Sequence, residues 1–137
     1  MNAVGAIRQL IIDDAGVVAL LSSADAVYPV ILPQRRTYPA ITLLIGDDEP
    51  ELYKWAPTAE KDRVKMVVGI WAKEYSTAQQ IDEAVRAAID GFEGNVTTSD
   101  SDTQRVHEVA FIRRKDGYDK ENALFYREAI YRVVVIR

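Results

Sequence analysis

The sequence predicts an α+β fold, a mostly antiparallel sheet of four to five strands with two helices packed on one face. Three observations lead there. Residues 64–72 alternate, with Val64, Met66, Val68, Ile70 and Ala72 at every second position, so five apolar side chains share one face of a strand. Residues 76–92 change to a helical period, with Ala78, Ile81, Val85, Ala88, Ile89 and Phe92 on one side and Gln80, Asp82, Glu83, Arg86 and Asp90 on the other. Residues 124–137, LFYREAIYRVVVIR, are dense in β-branched and aromatic side chains and read as a long final strand. The apolar side of the helix needs a sheet to cover, and these strands supply it.

The remaining elements follow in chain order. Val4, Ile7, Leu10 and Ile11 mark one face of a first helix, with Arg8, Gln9 and Asp13 turned away. Asp13 or Asp14 is placed to cap a second piece through Val17, Val18, Leu20 and Leu21, and Gly16 supplies the break, so this helix is expected to be bent or in two parts. Residues 26–39, AVYPVILPQRRTYP, hold three prolines, each removing a ladder donor, and belong on a sheet edge or in an extended wrap with Tyr28 and Tyr38 against the sheet. A strand is expected over 40–45, with Ile41, Leu43 and Ile45 on one side.

Residues 46–62 show no sustained period and read as a long loop, the first place to look for a partner. Asp47, Asp48, Glu49 and Glu51 make an acidic run there, and Tyr53 and Trp55 add two large aromatics. After the 64–72 strand, Ser76 stands three residues before Gln79, the capping-box spacing, so the helix is expected to begin at Ser76 and to stop at Gly91. Residues 93–103 read as a polar loop, 104–113 as a third strand, and 113–122 as a turn leading to the final strand. The strands are long enough to leave edges free for pairing between subunits.

Size and composition narrow the function. Residues 1–137 are the length of a single domain. Apolar residues at 48% and charged ones at 28% give a chain with a core to bury rather than a disordered one. Without cysteine, disulfides and thiolate metal sites are excluded. The opening MNAVGAIRQLIIDDAG lacks the basic segment and apolar core of a signal peptide, and no run reaches the roughly eighteen apolar residues that span a bilayer. A net charge of -4 argues against gripping phosphate backbones as the main task, though a local basic patch stays open.

Catalytic apparatus is not legible. His107 is the only histidine, and Glu108 points to the other face of an extended strand, so the two form no acid–base dyad. Asp100 and Asp102 lack the remaining oxygens of a calcium loop, and a zinc site has too few ligand types to draw on. No Gly-x-Ser-x-Gly elbow, phosphate-cradling loop or dinucleotide fingerprint occurs. The carboxylates at 47–51 have nothing on a flexible loop to separate their pKa values. Arg113, Arg114 and Lys115 form one basic cluster and Arg35 and Arg36 another, which in an acidic chain suit a solvated rim or a salt-bridging interface. Tyr53 and Trp55 either pack on their own sheet or act as interface anchors. An enzyme and a cofactor are therefore not expected.

Residues 63–94, RVKMVVGIWAKEYSTAQQIDEAVRAAIDGFEG, resemble the middle of the tail-completion, or tail-terminator, family of long-tailed bacteriophages. The likeness extends in order through the opening helix with its Val-Val-Ala-Leu-Leu stretch, Tyr28-Pro29, Leu32-Pro33-Gln34, Tyr38-Pro39-Ala40-Ile41, Gly117-Tyr118-Asp119 and Leu124-Phe125-Tyr126-Arg127. The resemblance implies a non-enzymatic virion structural protein of the neck that ends tail-tube growth and joins tail to head. It implies a homo-oligomeric ring, typically a hexamer, in contact with the tail-tube protein and the head-tail connector or stopper. DNA only passes through the lumen, which an acidic balance would suit, since like charge disfavours adhesion. Assembly in the host cytoplasm, no membrane contact and no cofactor complete that expectation. The alternative is a cytosolic adaptor or subunit domain that binds a host protein through the 46–62 loop.

Overall fold

The structure, a computed structural model, describes residues 2–23, 26–30, 37–53 and 56–136, with the backbone alone for 47–53 and 56–60. In chain order the elements are α1 (Ala3–Ile12), α2 (Ala15–Val18), β1 (Val27–Pro29), β2 (Ala40–Tyr53), β3 (Ala56–Ala72), α3 (Tyr75–Ile89), β4 (Gly94–Thr97), β5 (Thr103–Asp119) and β6 (Leu124–Ile136). The strands form one curled sheet in the order β1-β2-β3-β6-β5-β4. All neighbours are antiparallel except β1, which runs parallel to β2. The sheet is therefore mixed and six-stranded, where four to five antiparallel strands were expected.

The core lies between the helices and one face of this sheet. Val64, Met66, Val68, Ile70 and Ala72 are all fully buried, as their alternation required. They meet Ile41 and Leu43 from β2, Ala129, Tyr131, Val133 and Val135 from β6, and the seam Ala78, Ile81, Val85 and Ile89 of α3. Ala3, Ala6, Ile7 and Ile11 of α1 and Val17 of α2 extend the same cluster, which puts all three helices on one face. Among the described residues the other face carries no helix.

Several local expectations change. The break between α1 and α2 falls at Asp13–Asp14 and not at Gly16, because Asp14 Oδ1 accepts the Val17 N–H (3.1 Å) and starts a new helix two residues before the glycine. α3 begins at Tyr75, with Glu74 in the cap position and no side-chain cap, so Ser76 and Gln79 do not form the expected capping box. A tertiary anchor sets this start: the Tyr75 hydroxyl accepts from Arg127 Nη2 (2.7 Å) and donates to Asp116 (2.9 Å). Gly91 does end the helix, at φ 81, a left-handed conformation that an L side chain seldom adopts.

Residues 46–62 are not a loop. β2 and β3 stay paired from Ala40↔Trp71 out to Tyr53↔Ala56, with register shifts at Ile45/Asp47 and Glu51/Tyr53. β4 occupies part of the stretch read as a polar loop, pairing Gly94↔Val106 through Thr97↔Thr103. Likewise 113–119 continues β5, and the turn is confined to 120–123. Asp82 is fully buried and not on the solvent side of α3. Leu32, Pro33, Gln34, Arg35, Arg36 and Trp55 lie outside the described residues.

Candidate functional site

Three surfaces are candidates for assembly contacts. The first is the β2–β3 hairpin. β6 stops at Ile136, opposite Lys61 of β3, while β2 and β3 continue to Tyr53↔Ala56, so the hairpin projects past the sheet as a two-stranded arm. Its register sets Asp47 opposite Lys65, Asp48 opposite Val64, Glu49 opposite Arg63, Glu51 opposite Lys61 and Tyr53 opposite Ala56. Three acids thus face three cations position by position, a pattern that favours this pairing. The acids stand out in the sequence but the strand does not, because Pro50 and Pro57 and the lack of apolar alternation hide it.

The second is the helix-free face. Trp71 and Tyr126 pack there with ring centroids 4.4 Å apart, and Trp71 Nε1 donates to Thr42 Oγ1 (3.3 Å). Gly69 makes room for both, since a Cβ there would lie 2.5 Å from Thr42 Oγ1 and 2.9 Å from Tyr126 Cε2. Burial and the hydrogen bond to Glu128 Oε2 (3.0 Å) push the Tyr126 hydroxyl well above its ordinary pKa. A cleft of about 230 Å³ is lined by Arg63, Lys65, Ile112, Arg113, Ile130 and Arg132. Arg132 donates to Glu108 (2.7 Å). His107 is exposed at the bulge between Val106 and Glu108.

The third is the β5–β6 hairpin, held to α3 by an ion-pair network. Asp82 Oδ2 accepts from Arg114 Nε (2.8 Å) and Arg127 Nη1 (3.1 Å). Arg127 also donates to both oxygens of Asp116 (2.7 and 3.2 Å), the bidentate arrangement of strong guanidinium–carboxylate pairs. These bonds hold the Asp116 carboxyl below its usual range and raise the pKa of Arg127. Arg114 and Arg86 stack on the Phe111 ring, 4.6 and 4.2 Å from its centroid. Arg113 and Arg114, adjacent in sequence, are therefore separated by the sheet: Arg113 lines the open cleft and Arg114 reaches toward α3. Tyr75, Tyr118 and Phe125 cluster at the tip, with centroid distances of 5.8 and 4.8 Å to Phe125.

With these surfaces described, residues 5–136 match the family model described as Tail completion protein gp17. The chain belongs to the tail completion protein family. No curated protein matches it. Among solved structures, a chain of the "Virion of native gene transfer agent (GTA) particle" shares the fold at a TM-score of 0.72 and 20% identity, covering 96% of this chain and 92% of that one. Family membership supports a structural role in a virion rather than an enzymatic one.

Proposed function

We propose that this tail completion protein is a non-enzymatic virion component that stops tail-tube growth and joins the tail to the head connector, working as a ring of subunits, typically six. The family match over residues 5–136 carries the reading. Long strands whose edges outrun their neighbours, and an arm that projects past the sheet, support it physically, because both present backbone and side chains to a neighbouring chain. The partners in this reading are further copies of the chain, the tail-tube protein and the connector or stopper, with DNA passing through the lumen and assembly in the host cytoplasm. Asp47, Asp48, Glu49, Glu51, Tyr53, Trp55, Arg113 and Arg114 are the residues assigned to those contacts, and residues 1–137 act as one domain.

Light scattering of the purified chain, alone and with its tail-tube protein, tests the proposal, together with electron microscopy of tube ends. A ring in solution, or a cap on tube ends, is the expected result. A monomer that ignores tubes over a wide concentration range would return the chain to the adaptor reading.

A further inference from the structure

We infer that copies of this chain join by strand addition, β2 of one copy extending the sheet of the next along the outer edge of β5. This names the contact inside the ring proposed above and rests on that reading. β4 covers β5 only through Val106. The end of α3 covers it a little further, with the Gly91 N–H donating to Val109 O (2.8 Å) and the Phe111 N–H to Asp90 Oδ1 (3.1 Å). From Arg113 to Asp119, β5 has no partner on that side among the described residues. Residues 112–118 are exposed without interruption, whereas a strand with one packed face alternates. Arg113, Lys115 and the bulge at Phe111/Arg113 are ordinary protection for such an edge. Ile112 at 45% exposure and Tyr118 at 53% are not, and they give an added strand apolar surface to bury.

The opposite edge offers the matching strand. β1 pairs with β2 only at Ile41–Leu43, and from Leu44, itself 42% exposed, β2 has no further lateral partner among the described residues. Each step from β2 through β3 and β6 to β5 is antiparallel, so β2 and β5 run in opposite directions. Two copies in the same orientation therefore bring them together as an antiparallel pair. The joined surfaces are different, which makes the contact head-to-tail and able to close a ring.

Charge sets the register. Acids stand at alternate positions 47, 49 and 51 of β2, and cations at 113 and 115 of β5. Placing Glu49 opposite Lys115 sets Glu51 opposite Arg113, two opposite-charge cross-strand pairs. Within one sheet Glu49 lies on the row of Arg63, Val134 and Glu108. Pairing with Lys115 therefore shifts each copy by about seven residues, or about 23 Å along the strands, relative to its neighbour.

The chain has no cysteine, so Glu49→Cys with Lys115→Cys carries the only two thiols. Within one copy these positions are three strand spacings and seven residues apart, roughly 27 Å, beyond the reach of a disulfide. Mild oxidation of the double variant, alone and on tube ends, should give a non-reducing ladder that stops at the ring number, with neither single variant cross-linking. Lys115→Glu should weaken self-association at least tenfold, and adding Glu49→Lys should restore it. Rings that give neither ladder nor charge-swap rescue overturn this contact and leave the ring standing. A chain that never self-associates, even on tubes, overturns the ring and the contact together.

Discussion

Arg127 joins three elements: it extends from β6 to Asp82 on α3, Asp116 on β5 and the Tyr75 hydroxyl at the start of α3. Asp82 is fully buried, so Arg127→Ala leaves a desolvated carboxylate with only Arg114, and we expect a loss of roughly 3–5 kcal/mol in denaturant unfolding. Replacing Asp82 and Arg127 together by apolar residues should recover much of it. Asp116 gives a pH signature. Its carboxyl is held below the unfolded value mainly by the Arg127 hydrogen bond, so it contributes stability above the ordinary carboxylate range that is lost as pH falls through the lowered value. Asp116→Asn should flatten that acid limb in a pH series of unfolding midpoints. The network was not legible in the sequence. Asp82 read as solvent-facing because of its charge, and its partners lie 32 and 45 residues away, where no local pattern connects them.

At the scale of elements, apolar alternation made β3, β6 and the core seam of α3 readable, because each buries a face. The outer half of β2 and the outer end of β5 were hidden for the same physical reason. The outer half of β2 extends beyond the strand that flanks β3, and the outer end of β5 meets α3 through polar side chains, so nothing selects apolar residues at alternate positions, and acids, prolines and cations there resemble loop composition. If the arm serves assembly and not stability, replacing residues 52–57 by a two-residue turn should leave the thermal midpoint within a few degrees while tube capping disappears in micrographs. The centre of the sheet should behave in the opposite way. Gly69→Ala forces a Cβ against Thr42 and Tyr126, and overpacking of this kind costs about 1–3 kcal/mol, readable as a lowered midpoint by circular dichroism.

Over the whole molecule, the decisive feature is the place of β6. It sits between β3 and β5, pairing with β3 along Lys61↔Ile136 to Ala72↔Phe125 and with β5 along Arg105↔Ile136 to Asp119↔Leu124. A chain cut before Leu124 should therefore show no cooperative unfolding transition, since its two halves lose the strand that unites them. In the proposed ring, the same position would make the ability to assemble depend on the last strand. Both edges proposed for assembly belong to strands laid down before β6, yet they become opposite rims of one rigid sheet only after it inserts between them. Incomplete chains released by a stalled or degraded message would lack the fixed spacing between those rims, and so could not take a place in the proposed ring and jam it.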